Sequence, residues 1–260
     1  MRIRLTLAYD GTDFAGWQLQ PGQRTVQSDL EQALETLYQQ PVRVHPSGRT
    51  DSGVHALDQV AVYDAPVPRE MHSILKALNS LTSADISVTS AMQVDDDFDP
   101  RRWAREKHYR YRWQVAPVPD PLRRRQVRWI RGPFDVPAAV RAARIFEGTH
   151  DFSSFRAVGC ASTHAVRTVL EASISEHGDE VHLDVRGNGF LRHMIRIMAG
   201  CVEKVALGRK SVDWVQAALD AQDRSAAGQT LPARGLCLIS TRYGDGPPSW
   251  AASPDQESVG

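Results

Sequence analysis

The sequence lacks several features that define large classes of protein. No apolar run approaches the roughly 18 residues that a membrane-spanning helix needs. Residues 1–10 alternate apolar and polar side chains and include two arginines, which predicts a strand rather than a signal peptide. There is no dinucleotide-binding glycine pattern and no phosphate-binding loop motif, so nothing indicates a nucleotide cofactor.

Cysteine is scarce. The three cysteines, Cys160, Cys201 and Cys237, are odd in number and far apart, which predicts no disulfide framework and indicates a reducing compartment such as the cytoplasm. No Cys-x-x-Cys pair or His/Cys cluster has the spacing of a metal site, so we predict no structural zinc.

An excess of positive charge is also missing overall, because 31 basic residues balance 31 acidic ones. The distribution is uneven, however. Between Arg101 and Arg131 there are eleven Lys and Arg residues but only two acidic ones, a local excess of nine positive charges. A local basic field attracts phosphates regardless of the global sum. The run Arg123, Arg124 and Arg125 is therefore a candidate nucleic-acid contact, and the alternative is a solvated charged surface.

The first part of the chain alternates strand and helix patterns. Hydrophobic periodicity and turn residues predict the order β-α-β-β-α-β, which fits a ferredoxin-like half with an antiparallel sheet. Thr25 is the expected N-cap of the first helix. The predicted elements are strands at 3–9, 42–44, 59–63 and 86–89, and helices after Thr25 and over 70–78.

The second part has a similar alternation. In a strand over 107–113, Lys107, Tyr109, Tyr111 and Trp113 share one face, and core positions are favoured for Tyr111 and Trp113. The other predictions are a helix over 136–146, a hairpin of 166–175 with 180–185, a largely buried helix over 190–207, a helix capped by Ser211 and a last strand over 236–241. We thus expect domains at 1–104 and 105–244, followed by a disordered tail at 245–260.

One polar loop, residues 46–56, lies between two strand patterns and carries the reactive side chains. Two glycines five residues apart, Gly48 and Gly53, allow a sharp turn that can hold Arg49 and Asp51 towards a cleft. The alternative is a surface loop in which Asp51 caps its own turn.

The run Gly-Arg-Thr-Asp-x-Gly-Val-His-Ala at 48–56 resembles the catalytic motif of the TruA-type pseudouridine synthase family. The strand carrying Tyr109 and the helix carrying Arg196 follow in the family's order, so the resemblance covers nearly the whole chain. It implies an α+β fold of two ferredoxin-like halves around a central cleft. It also implies a homodimer that isomerises uridine at positions 38–40 in the anticodon arm of transfer RNA, without a cofactor.

The resemblance further implies roles for individual residues. Asp51 would be the nucleophile, Arg196 its partner, and Tyr109 the ring that stacks on the target uracil. Arg49 and His55, in the same loop as Asp51, are candidate substrate contacts. Whether Asp51 attacks C6 of the base or C1′ of the ribose stays open, as does the base that removes the C5 proton.

Two other functional classes remain open at this point. A non-catalytic RNA-binding module could keep the same scaffold, although it would not need Asp51. A carboxylate hydrolase would need a second acid beside Asp51. The sequence offers only Asp58 nearby, and its position predicts a place within a strand.

Overall fold

A computed structural model describes residues 1–160 and 162–248. The chain divides into two compact units. Unit 1 comprises Met1–Glu106 together with the described residues after Cys237, and unit 2 comprises Lys107–Cys237. The final strand therefore belongs with unit 1 although it follows unit 2 in sequence.

The described residues form ten strands and five α-helices. The strands are β1 (Arg2–Tyr9), β2 (His45–Pro46), β3 (His55–Asp64), β4 (Ile86–Val94), β5 (Ala104–Val115), β6 (Arg128–Ile130), β7 (Gly148–Asp151), β8 (Val166–His177), β9 (Glu180–Gly187) and β10 (Leu236–Tyr243). The helices are α1 (Val26–Tyr38), α2 (Met71–Leu81), α3 (Val136–Arg144), α4 (Met194–Ala206) and α5 (Val212–Asp220).

Unit 1 is built on a sheet with the strand order β4-β1-β3-β10. Strand β1 pairs antiparallel with both β3 and β4, and the short β2 pairs with β3. Alternation along β1 buries Ile3, Leu5 and Leu7 completely. The predicted order β-α-β-β-α-β is confirmed, although the second strand lies at His45–Pro46 rather than at 42–44.

Helix α1 begins where the sequence predicts. The Thr25 Oγ1 accepts a hydrogen bond from the Ser28 backbone N–H at 3.1 Å, and the Ser28 Oγ accepts one from the Thr25 N–H at 3.0 Å. This reciprocal capping box satisfies two of the N–H groups that a helix start leaves unpaired. Helices α1 and α2 add further buried aliphatic side chains to unit 1, among them Leu30, Leu34, Ile74 and Leu78.

The strands of unit 2 follow the order β5-β9-β8-β7, with β6 parallel to β5. The other pairs are antiparallel, and β8 with β9 form the predicted hairpin. Tyr111 and Trp113 of β5 are fully buried, which confirms their predicted core positions. The combination of helices with largely antiparallel sheets confirms the predicted α+β class.

The predicted helix over 190–207 starts later than expected. Helix α4 begins at Met194, because His193 adopts a left-handed conformation with φ +65° that a continuous helix does not allow. Phe190 and Arg192 therefore lie in the turn before the helix. Eleven of the thirteen helical residues are buried, so the prediction of a largely buried helix is confirmed.

No helix in the described part of the chain is long and apolar enough to cross a membrane. Of the tail predicted to be disordered, residues 249–260 lie outside the described residues. The four residues 245–248 form neither helix nor strand.

Candidate active site

Asp51 sits at a tight turn between β2 and β3. The Val54 N–H donates to the Asp51 carbonyl oxygen at 3.1 Å and closes the turn. Gly53 has φ +78°, in the region that glycine enters without a Cβ clash. The Asp51 side chain is half-buried, and Arg49, two residues before it, is exposed.

The loop that follows β1 holds this turn on both sides of Asp51. On one side, the Trp17 N–H donates to the Thr50 carbonyl at 3.0 Å, and the Thr50 hydroxyl lies 2.8 Å from the Tyr9 hydroxyl. On the other side, the Ser52 hydroxyl and the Gly53 N–H donate to one carbonyl, that of Phe14, at 3.1 and 3.3 Å. These contacts immobilise the backbone that carries the Asp51 carboxylate.

A buried pair of polar side chains fixes the start of the same loop. The Ser47 hydroxyl donates to the Gln59 Oε1 at 2.7 Å, and the Gln59 Nε2 donates to the Gly48 carbonyl at 2.8 Å. Ser47 and Gln59 are both fully buried. Buried polar groups with complete hydrogen bonding specify one local conformation.

Two glycines make the close approach of these loops possible. A Cβ atom on Gly11 would lie 2.0 Å from the Val54 carbonyl oxygen, and one on Gly16 would lie 2.8 Å from the Thr50 carbonyl oxygen. Gly16 also has φ +99°. The sequence shows that glycines occur here, but their role was not predictable, because each contacts a loop about 40 residues later in the chain.

We expect Gly11→Ala to displace the Asp51 turn. The new Cβ would meet backbone that cannot rotate away, a clash that costs about 1–3 kcal/mol in packed regions. A displacement of about 1 Å at a reacting group can cost on the order of 100-fold in rate. The melting temperature and the turnover rate should therefore both fall. Gly246→Ala, whose Cβ would meet nothing within 4 Å, is the matched control; a Gly11→Ala protein equal to that control would contradict this account.

His55 has a structural place in this site. Its ring is buried, and its Nδ1 accepts a hydrogen bond from the Gly11 N–H at 3.1 Å. The Asp10 Oδ1 lies 3.1 Å from the same nitrogen. His55 thus joins the two loops, and its contact with substrate stays a prediction. Arg49, by contrast, has no hydrogen bond or ion pair to any residue in the described ranges.

Asp58 lies in β3, as its position in the sequence predicts. Its Oδ2 accepts a hydrogen bond from the Thr241 N–H in β10 at 3.1 Å. This carboxylate therefore ties two strands of unit 1 together. That role leaves the hydrolase alternative without its second acid.

Tyr109 and Arg196 belong to unit 2. Tyr109 lies opposite Val185 in the sheet and meets Phe190 edge-to-face, with ring centroids 5.5 Å apart. It is half-buried, whereas Tyr111 and Trp113 on the same face of β5 are fully buried. Among the aromatic residues of this strand, Tyr109 is the one with surface available for stacking.

Arg196 is anchored in the first turn of α4. Its Nε donates to the Leu231 carbonyl at 2.7 Å, and the Leu231 N–H donates to the Arg196 carbonyl at 3.2 Å. This pair of bonds holds both the side chain and the backbone of Arg196 against one segment. The sequence indicated that this arginine needs a partner, but not that Leu231 supplies part of its anchorage.

The basic segment is partly neutralised within unit 2. Arg123 contacts three carboxylates, those of Asp120, Asp179 and Glu180, at 2.8, 2.7 and 2.9 Å. These hydrogen bonds raise the pKa of Arg123, and they lower the pKa of Asp179. Arg123 therefore holds its loop on the β8–β9 hairpin, and its contact with phosphate stays a prediction. Arg124 and Arg125 remain exposed.

The carboxylate of Asp184, on β9, offsets positive charge on the neighbouring strand β5. Burial disfavours the ionised form of Asp184, but hydrogen bonds with His108 and Arg110 outweigh that effect and hold its pKa below the usual range. The two contacts measure 2.5 and 2.9 Å. The local excess of charge in the sequence is thus larger than the excess at the surface.

The chain resembles known proteins over almost its whole length. Residues 6–101 and 142–244 match the family described as tRNA pseudouridine synthase. A tRNA pseudouridine synthase A of Myxococcus xanthus is 44% identical, over 95% of this chain and 94% of the relative. Those of Geotalea uraniireducens and Rhodospirillum rubrum are 40% and 43% identical, over 93% and 94% of this chain and 99% and 88% of the relatives. With this extent of similarity, the chain belongs to the tRNA pseudouridine synthase family.

Proposed function

We propose that this protein converts uridine to pseudouridine in the anticodon stem-loop of transfer RNA, at positions 38–40. The observation that carries the proposal is the Asp51 turn. In a chain of this family, a half-buried carboxylate stands on a turn that is hydrogen-bonded, on both sides of Asp51, to β1 and the loop after it. A pure RNA-binding module has no use for such a carboxylate.

The reaction is a rearrangement. The N1–C1′ bond breaks, the uracil turns, and a C5–C1′ bond forms, while C5 loses its proton and N1 gains one. No atom or electron is exchanged overall, so neither a group donor nor an oxidant is consumed. A carboxylate is a competent covalent nucleophile for such a step. Asp51 supplies it in our proposal, by attack at either C6 or C1′.

Arg196 orients this carboxylate in the proposed mechanism. A guanidinium can bind a carboxylate through two parallel hydrogen bonds, which fixes direction as well as charge. The Leu231 carbonyl engages the Nε of Arg196, so rotation of the side chain is restricted before substrate arrives. The family resemblance supports the pairing of Arg196 with Asp51.

Tyr109 and Arg49 act on the target nucleotide in this proposal. The uridine must leave its stack, which costs a few kcal/mol. The half-buried ring of Tyr109 would stack on the extruded uracil and recover part of that free energy. The exposed guanidinium of Arg49 would hold the nucleotide's phosphate, and His55 would contact the substrate beside it.

The test is tritium release from tRNA labelled at uracil C5. Forming the C5–C1′ bond displaces the C5 hydrogen, so each turnover releases one label to water. We expect release from a tRNA with uridines at 38–40 and none from a matched transcript with cytidines there. Tight binding without release would favour the RNA-binding module, and equal release from both transcripts would contradict the assigned positions.

Arg124 and Arg125 are proposed to contact the RNA backbone. The double variant Arg124→Glu/Arg125→Glu should weaken tRNA binding and lower the slope of log Kd against log salt, because each lost phosphate contact removes about 0.7–0.9 from that slope. The exposed pair Arg141→Glu/Arg144→Glu on α3 is the matched control. Arg123 is left intact, since its reversal would place a fourth carboxylate in its cluster. An unchanged salt slope would remove this patch from the interface.

The family resemblance also supports a homodimer in which one RNA touches both subunits, and a cytoplasmic location. Mixing a catalytically inactive variant with a variant defective only in RNA binding tests the dimer. Recovery of turnover in the mixture requires that an RNA bound by the surface of one subunit react in the active site of its partner. Turnover no greater than the sum of the two variants would contradict the shared RNA.

A further inference from the structure

Unit 2 contains a cavity that the catalytic proposal does not use. Its volume is about 590 Å³, within the range of small-molecule and nucleotide sites. Two arginines, several hydroxyls and one thiol line it. The polar groups in its lining include Ser153, Arg156, Cys160, Ser162, Thr163 and Arg224.

The two arginines are poorly neutralised by the protein itself. Arg156 is half-buried, yet within residues 1–160 and 162–248 its guanidinium has no hydrogen bond or ion pair. Arg224, also half-buried, donates one long hydrogen bond, 3.3 Å, to the Thr230 hydroxyl and no other to a described residue. Removing part of a cation's hydration without a partner is unfavourable. An anionic ligand between the two guanidiniums would offset that cost.

Among the described lining residues there is one acidic side chain, Asp223, and it forms no ion pair with either arginine. Asp223 accepts hydrogen bonds from the Ser225 N–H at 2.9 Å and from the Ser225 hydroxyl at 2.7 Å. These bonds lower the pKa of Asp223 and use its carboxylate to cap the short helical turn at 224–226. Asp223 thus stays ionised, and the described lining keeps a net positive charge because two arginines stand against one carboxylate.

The cavity wall is hydrogen-bonded to the segment that precedes α4, the helix that carries Arg196. The Ala157 N–H donates to the Arg192 carbonyl at 3.0 Å, and Ala157 lines the cavity. Arg192 precedes Arg196 by four residues, so their Cα atoms are at most about 15 Å apart. A few nucleotides of an RNA strand span such a distance.

We propose that this cavity binds a nucleotide of the tRNA substrate other than the reacting uridine. Arg156 and Arg224 hold its phosphate, and the hydroxyls of Ser153 and Thr163 contact its ribose. The Ser162 hydroxyl instead donates to the His164 carbonyl and accepts from Arg167, so it shapes the cavity wall. The inference rests on the proposed function, because it assumes an RNA substrate. It adds a second contact point in unit 2, separate from Tyr109 and from the exposed arginines at 124 and 125.

Cys160 provides a direct test in the unmodified protein. It is half-buried in the cavity lining, whereas Cys201 and Cys237 are buried, so a maleimide should label Cys160 first. With free tRNA at ten times its Kd, the labelling rate of Cys160 should fall by about tenfold, in proportion to the unbound fraction. An excess of inorganic phosphate should leave the rate nearly unchanged. Peptide mass spectrometry identifies the labelled cysteine.

Variants supply the second measurement. Arg156→Gln and Arg224→Gln should each weaken tRNA binding and lower the salt slope by about one unit, while turnover at saturating tRNA stays near wild type. Arg141→Gln, an exposed arginine on α3 outside the cavity, should change neither quantity.

Three results would overturn the inference. These are an unprotected Cys160 in a protein that binds and modifies tRNA, wild-type affinity and salt slope in both arginine variants, or full protection by inorganic phosphate alone. Failure of the proposed function is distinguishable, because it appears as absent tritium release. Protection of Cys160 by tRNA without release would support this site and contradict the isomerase.

Discussion

Asp51→Asn is expected to fold and bind tRNA but to form no pseudouridine. The amide is nearly the size of the carboxylate, yet it is a far weaker nucleophile, so the covalent step has no substitute. Loss of a covalent nucleophile in well-studied enzymes costs on the order of 10⁴–10⁶ in kcat. The measurement is tritium release from C5-labelled tRNA, with binding followed in parallel by filter retention.

Asp58→Asn is the matched control for that experiment. It removes an acidic charge from the same unit, seven residues later in the chain, and its side chain joins β3 to β10. We expect it to retain most activity. Measurable turnover by Asp51→Asn, after mass spectrometry excludes deamidation, would contradict the nucleophile assignment. An equal loss in both variants would contradict the specificity of the assignment.

The largest effect on stability is expected at Glu203, a buried acid in α4. Only 2% of its surface is exposed. Its Oε2 accepts a hydrogen bond from the Trp113 Nε1 at 2.9 Å, and its two oxygens engage Arg128, with the Nη2–Oε1 contact at 2.8 Å. The hydrogen bonds between Arg128 and Glu203 raise the pKa of Arg128. One carboxylate thus satisfies a buried indole and a half-buried guanidinium.

Glu203→Ala should lower the free energy of unfolding by roughly 3–5 kcal/mol, because it leaves Arg128 and the Trp113 N–H without their partner. Urea denaturation followed by circular dichroism measures the loss. The double variant Glu203→Leu/Arg128→Met removes both charges and should recover a large part of it. A loss below about 1 kcal/mol for Glu203→Ala would show that water replaces the carboxylate.

Local pattern determined much of unit 1. Alternation predicted β1, a threonine followed by an amphipathic stripe predicted the start of α1, and Gly53 after Asp51 predicted the turn. Gly48, in contrast, does not adopt a positive φ. These features depend on residues within a few positions of each other, so periodicity and turn chemistry are sufficient to find them. The start of α4 was misplaced, because the left-handed conformation of His193 is a single-residue event inside an apolar run.

The basic segment shows why a charge count over a stretch of sequence does not predict the charge at the surface. Counting residues 101–131 gives a large positive excess, but three of these arginines form ion pairs. Arg110 pairs with Asp184, Arg123 with Asp179 and Glu180, and Arg128 with Glu203. Those acids lie more than 50 residues away in sequence, on β9, on α4 and in the β8–β9 turn. Net charge at a surface is therefore a property of the folded unit rather than of a window.

By itself, the sequence determined the α+β class and the family and indicated the candidate reactive loop, since each depends on short motifs and their order. The tertiary structure alone decided which carboxylates are structural, such as Asp58, and which loop immobilises Asp51. It also places most of the last strand in unit 1, and it places Arg156 and Arg224 in the lining of one cavity. The physical reason is the same in each case: these contacts join atoms that are distant along the chain, and only folding brings them within hydrogen-bond or van der Waals reach.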